Sequence, residues 1–241
     1  MTTVTTCPGF IDLRAFAGTE CASVADPFGT GRKVLPLRGD DVEMGTIHLM
    51  PGTGTQAMTG GDTFLIVAQG AVEMTATRQG DTATWDLQDS GCCVVSDGSD
   101  LAWTTRVPTI LIYMRHTAGK GHDNAGTFIN PYAAMTPSAP PLAELLVGPT
   151  PACHNATQFL STDGEFMCGT WDGTPYHRLS MAYRHFELMY LLAGTVTFVD
   201  EAGHTGTFTK GDIFMIEQHA HCSWDSQVDV AKVYAIFRPK V

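Results

Sequence analysis

The residue best placed to do chemistry is Glu187, in the stretch YRHFELMYLLAG (183–194), which alternates in the manner of a β-strand. Side chains two apart on a strand share a face. Glu187, His185, Tyr183 and Met181 therefore point the same way unless a bulge intervenes. His177 and Leu179 share that parity if the strand reaches so far. In HAHCSW (219–224), Cys222, Trp224 and Ala220 take the inward parity, and His219 and His221 fall on the outer face. An inward cluster of Tyr183, His185, Glu187 and Cys222 is the expectation.

Two chemistries suit this cluster. Imidazole, carboxylate and a thiolate would suit Zn²⁺ or Fe²⁺ better than Mg²⁺, but His185 and Glu187 are only two apart and a fourth ligand is not evident. Without a metal, an apolar barrel would raise the pKa of Glu187 by desolvation. His185 beside it would then share the proton, with Tyr183 as a further donor, giving a general acid/base set. Two blander readings stand beside these: a hydrogen-bonded structural pair, because buried polar groups need partners, and a small-molecule pocket without catalysis. Arg178 and Arg184 flank the strand. A guanidinium fits a carboxylate bidentately, so Arg178 is a candidate clamp at a barrel mouth.

The elements that must position these residues are strands. Short apolar runs rich in β-branched and aromatic residues recur between Gly, Asp and Pro: FLIVAQG, CCVVS and TILIYM, then ELMYLLAG, DIFMIE and VYAIF. A helix is expected only at PPLAELLVG (140–148), started by Pro140 and Pro141 and ended by Gly148. Alternation places one of Cys92 and Cys93 in the core, and Asp62, Asp81, Asp86 and Asp89 read as solvated turn residues. The chain also matches itself. Gly45-Thr46 falls on Gly169-Thr170 and Gly70 on Gly194 at an offset of 124; later Trp103 falls on Trp224 and Tyr113 on Tyr234 at an offset of 121. This is a tandem duplication. The Pro/Ala-rich segment 131–152 reads as the linker between an N-terminal unit at 1–130 and a C-terminal unit at 153–241.

Bulk composition narrows the functions. The chain has 241 residues and a formal charge of −11, and it carries no basic cluster. Such a chain repels phosphate backbones, so nucleic acid is a poor partner. No apolar run approaches the ~20 residues that span a bilayer. The start, MTTVTTCPGFIDL, lacks the basic-then-apolar pattern of a secretory leader. A cytoplasmic protein with neither membrane nor nucleic-acid partners is expected. Seven scattered cysteines without a C-x-x-C pair read as free thiols.

Glu187-x6-Gly194, a hairpin, and then TKGDIFMIEQHAHCSW (209–224) resemble the two motifs of the cupin superfamily. The ending Ser223-Trp224 and the tail VAKVYAIFRP are similar to the branch of ureidoglycine-aminohydrolase-type and ethanolamine-utilisation-type cupins (DUF861-like). The resemblance implies an all-β fold of two tandem cupin jelly-roll barrels, a bicupin, packed face to face. It also implies pairing of barrels through sheet edges, hence a homodimer as a candidate assembly. The metal pattern of the family is broken. Its histidine slots hold Met181 and Tyr183, or Ser180 and Ala182, and the last holds Cys222, so only Glu187 of three histidines and a glutamate remains. In the first half the slots hold Thr59, Thr63 and Leu101.

The sequence therefore points to a small polar ligand, of carboxylate or ureido type, in the C-terminal barrel and to no cofactor. Glu187, His185 and Tyr183 are the candidate catalytic residues, and Cys222, Trp224, Met181 and Arg178 the candidate ligand contacts. An aminohydrolase, isomerase or lyase using Glu187 and His185, or as ligands of a non-standard metal site, is the alternative; a structural or regulatory protein is the third.

Overall fold

The structure is a computed structural model that describes residues 9–240. Cys7 and most of the opening stretch MTTVTTCPGFIDL lie outside the described residues. Among the described residues no helix is long and apolar enough to cross a membrane.

The chain forms two barrels, each a large sheet facing a small one. In the N-terminal barrel the large sheet runs Gly126–Phe128, Cys92–Val95, Asp62–Gln69, Thr109–His116, Val42–Leu49, Lys33–Val34. The small one runs Gly52–Met58, Ser99–Thr105, Val72–Arg78, Asp81–Leu87. In the C-terminal barrel the large sheet runs Phe10–Asp12, Ile213–Ile216, Phe186–Ala193, Val230–Phe237, Phe166–Gly173, Cys153–Leu160, Thr136–Ser138. Its small sheet runs Leu146–Val147, Tyr176–Ala182, His221–Ser226, Thr195–Val199, Thr205–Thr209.

Three apolar clusters follow from this layering. One fills each barrel, and the third lies between the two large sheets, joining Phe64, Ile112 and Met114 to Phe166, Leu188 and Phe237. The large sheets are therefore buried on both faces, which explains why their strands read as continuous apolar runs rather than clean alternations. It also corrects the expectation for Cys92 and Cys93. Both are fully buried, Cys92 between the barrels and Cys93 inside one.

Internal duplication is visible in the strand register. Trp171 pairs with Lys232 where Ile47 pairs with Leu111, and Arg178 pairs with Trp224 where Gly54 pairs with Trp103. The pairing crosses the 1–130/131–152/153–241 division at its start. Phe10–Asp12 adds to the C-terminal barrel against Ile213–Ile216, and Arg14 donates to the carbonyls of both Ala68 and Gly211, tying the barrels together.

The expected helix at 140–148 is absent. Only Ala143–Leu145 makes a 3-10 turn, and Leu146–Val147 pairs with Arg178 and His177 as an edge strand. A few residues of helix make too few hydrogen bonds to compete with a sheet edge that offers partners. Asp62 is likewise no solvated turn residue. It is fully buried, accepts from the Asp97 N–H at 2.9 Å, and burial raises its pKa.

Candidate functional site

Phe186–Ala193 divides its side chains between two environments. Phe186, Leu188 and Tyr190 enter the layer between the barrels, while Met189 and Leu191 enter the C-terminal barrel. Glu187 shares the second parity, so a carboxylate is delivered into an apolar barrel. It is 6% exposed and cannot stay there alone, because an unpaired buried charge is costly. Two partners meet it. Lys232 Nζ donates to Oε1 at 2.9 Å, and His185 Nε2 lies 3.2 Å from Oε2. Burial pushes the Glu187 pKa up, but the Lys232 ammonium and the His185 contact outweigh it and hold the carboxyl well below the usual range. The expected raised pKa and shared proton are thus corrected: Glu187 is a carboxylate. An ionised carboxylate only accepts, so His185 Nε2 carries the proton, and in the neutral ring Nδ1 keeps the lone pair.

Lys232 comes from the last strand, Val230–Phe237. Its ammonium lies 3.2 Å from Met189 Sδ and 4.9 and 5.1 Å from the Trp171 and Trp224 ring centroids. Indole faces stabilise a cation in this way. Trp224 is further fixed by stacking on Tyr176, at 5.5 Å and 7°, and by its Nε1–H donating to Ser226 Oγ at 3.1 Å.

Arg178 is the second buried cation, 5% exposed. Its Nη2 donates to Tyr183 Oη at 3.1 Å and to the Cys222 carbonyl at 3.3 Å, and the guanidinium lies 5.1 Å from the Tyr183 ring centroid. Among the described residues no carboxylate lies within ion-pair distance of it. A register shift between Arg178 and Met181 in the pairing with His221–Ser226 turns Arg178 inward and leaves Leu179 exposed, with His177 only partly buried.

These groups line one cavity of about 550 Å³, to which Arg178, Met181, Tyr183, His185, Glu187 and Trp224 all contribute. Cys222 does not line it. It is fully buried in the barrel's apolar cluster, hydrogen-bonded with Tyr183, and burial pushes its thiol up to about 12. The thiolate considered from the sequence is therefore not formed at neutral pH. Tyr183 is raised as well, chiefly by burial, and keeps its phenolic proton. His219 and His221 are exposed.

The sequence reading missed Lys232, Trp171 and Tyr176. A signal existed for the first: Lys232 interrupts the otherwise apolar VAKVYAIF, on a strand that must be buried. The N-terminal barrel has no counterpart. Thr63, Leu111, Ile47 and Gly54 stand at the positions of Glu187, Lys232, Trp171 and Arg178 by the repeat, and a Cβ at Gly54 would meet the Trp103 indole at 2.6 Å. That interior is filled by packing.

The four-ligand metal set of cupins does not fit these residues. Glu187 already carries an ammonium, Cys222 is a thiol held off the cavity, and Tyr183 and Met181 occupy the remaining slots. Among the described residues, the three potential donors close enough to share an ion lie elsewhere, at His116, Asp163 and Glu165. There His116 Nε2 and Asp163 Oδ2 are already bonded to each other at 2.7 Å.

Residues 160–234 match the family model of the EutQ-like cupin domain. No curated protein matches the chain. Among solved structures, a protein of unknown function of the DUF861 family from Pseudomonas syringae pv. tomato is 26% identical, with a TM-score of 0.81 over 95% of this chain and 100% of that one. A cupin 2 conserved barrel domain protein from Leptotrichia buccalis is 9% identical, with a TM-score of 0.63 over 95% and 96%. Ylba from E. coli, also DUF861, is 15% identical, with a TM-score of 0.54 over 87% and 84%. The last two bear on the fold alone.

Proposed function

From the premise that this chain is a DUF861-like cupin with two barrels, we propose that its C-terminal barrel binds a small polar metabolite through a carboxylate, in a site that works without the usual cupin metal. The observation that carries this reading is Arg178. Within the cavity Lys232 neutralises Glu187, which leaves the Arg178 charge without a counter-ion. A buried cation with no partner is costly, and a guanidinium is the side chain best shaped to receive a carboxylate. A ureido group offers the same site a neutral acceptor oxygen without the charge, so the carboxylate is favoured. Trp171, Trp224 and Tyr176 supply the apolar walls that give such a pocket its affinity, while the few polar groups orient the ligand.

The test is a thermal-shift screen of small carboxylates, each paired with its amide. A bound ligand at 100 times its dissociation constant adds about 2.7 kcal/mol. Acids should stabilise the protein and their amides should not, and Arg178→Met should erase the difference. Stabilisation by amides and acids alike would refute the charge argument.

An enzyme is the second reading, favoured by the His185–Glu187–Lys232 chain. A carboxylate that fixes the imidazole tautomer leaves Nδ1 as a positioned base. Glu187→Gln is a poor test, because it also breaks the ion pair to Lys232. His185→Asn is better. Lost turnover with retained binding would identify an enzyme, and equal loss of both would identify recognition only.

A further inference from the structure

We infer that Lys232 is the resident cation of the C-terminal barrel, a tethered ammonium that does for Glu187 what a metal ion does in cupins with a complete ligand set. This deepens the metal-free part of the reading above and rests on it. Glu187 is the one metal-slot residue the chain retains, and the cation it meets is Nζ of Lys232 at 2.9 Å. The ammonium is flanked by the Trp171 and Trp224 rings and by Met189 Sδ, and it lines the cavity. It is thus part of the cavity wall rather than a surface charge folded inward.

The duplicated barrel acts as an internal control. Where Thr63 replaces the glutamate, Leu111 replaces the lysine and Ile47 the tryptophan that faces it across the strand pair. Acid, cation and the tryptophan opposite the cation are present together in one barrel and missing together in the other, while Trp103 stays at the position of Trp224. A lysine kept only for packing would not need to track the acid.

Replacing a divalent ion by an ammonium changes what the site can recognise. A metal presents several open positions to a ligand, whereas an ammonium has three N–H donors. Glu187 and Met189 take two. Among the described residues the third has no acceptor, so it is available to one ligand oxygen. The ligand is then an anion held by Arg178 with a second oxygen on Lys232, and its binding survives chelators.

The experiment uses the full chain stripped with EDTA, with Zn²⁺ and Mn²⁺ alone as probes, and titrates the wild type, Lys232→Met, and Lys232→Met combined with Glu187→Gln. The methionine keeps the volume of the lysine stem between the indoles. The wild type should bind no equivalent that depends on Glu187. Lys232→Met should gain one held by Glu187 and His185, at least tenfold tighter than the wild type shows at that position, and the double variant should lose it. Should Lys232→Met fail to fold, as judged by its melt, Lys232→Gln carries the same arm. A wild-type protein with one tight equivalent removed by Glu187→Gln or His185→Gln would overturn both this inference and the metal-free reading. A folded Lys232 variant that gains no metal would overturn the inference alone.

Discussion

Lys232 Nζ lies 2.9 Å from Glu187 Oε1, and both side chains are less than a tenth exposed, although 45 residues of chain separate them. The two strands that carry them are neighbours in the large sheet of the C-terminal barrel, with Leu191 opposite Lys232. The lysine stem therefore runs back along the barrel wall to reach the acid. Each charge offsets much of the cost of burying the other.

Breaking this pair from either side should be strongly destabilising. Glu187→Met and Lys232→Met each leave one buried charge uncompensated, which costs about 3–5 kcal/mol. Glu187→Met combined with Lys232→Met should recover much of that loss, since the pair's attraction is largely offset by desolvation. Urea denaturation of the four proteins, analysed as a double-mutant cycle, measures the coupling. Additive losses would show that the two charges act independently.

The pH dependence has a definite sign. The Glu187 pKa is lowered in the folded chain by Lys232 and His185 against the opposing effect of burial. Its contribution is fully present above the ordinary carboxylate range and is lost as pH falls through that range towards the depressed folded value. The acid limb of the stability curve should therefore flatten in the Glu187→Met/Lys232→Met protein when melts are followed from pH 6 downwards. An unchanged limb would assign acid sensitivity to other carboxylates.

Arg178 should separate stability from binding. Arg178→Met removes a buried cation that has no acid partner, so the ligand-free protein should change by less than about 1 kcal/mol or gain stability. Carboxylate affinity should fall by about 2–5 kcal/mol, the loss that follows when one member of a buried charged pair is truncated. Arg178→Lys should recover only part, because a lysine lacks the planar fork. Calorimetric titration of these variants with a carboxylate from the screen gives the numbers.

A second carboxylate ties the barrels to each other. Asp163, on the C-terminal barrel, accepts from Ser161 and from the Glu165 N–H and meets the buried His116 of the N-terminal barrel. Burial pushes Asp163 up, and these partners outweigh it and bring the carboxyl down to about 2. Its contribution is present above about 3.8 and is lost as pH falls through about 2. The Asp163 side chain is about a third exposed, so Asp163→Asn should cost only about 1 kcal/mol. A melt at pH 7 and another at pH 3 should show the difference shrinking.

The N-terminal arm should matter out of proportion to its length. Phe10 packs against Phe198 and Phe208, and a Cβ at Gly206 would meet the Phe10 ring at 2.3 Å. Gly206→Ala should displace the arm, at about 1–3 kcal/mol for overpacking. It should also expose the edge of Ile213–Ile216, giving a concentration-dependent association that the wild type lacks. Light scattering beside a thermal melt checks both.

The elements were legible because they are local. Apolar runs with turn punctuation mark the strands, the offset of 124 marks the duplication, and Glu187-x6-Gly194 marks the motif; each needs only a few neighbouring residues. His185 does lie beside Glu187, but it reaches the acid from the connection at 183–185 that precedes Phe186–Ala193, so two residues of chain rather than a shared strand bring them together.

What parity could not supply was any contact that crosses strands. It failed at Arg178, because a bulge in the pairing with a distant strand reverses the face. It misjudged the Glu187 pKa, because the opposing charge comes from Lys232 on another strand. It placed one of Cys92 and Cys93 in the core, because only the docking of the second barrel covers the other face. By itself the sequence determined which segments extend, where they repeat, and that one acid is delivered into the second barrel. The tertiary structure decided which cation meets that acid and which cation is left for a ligand, since charges interact through space and not along the chain.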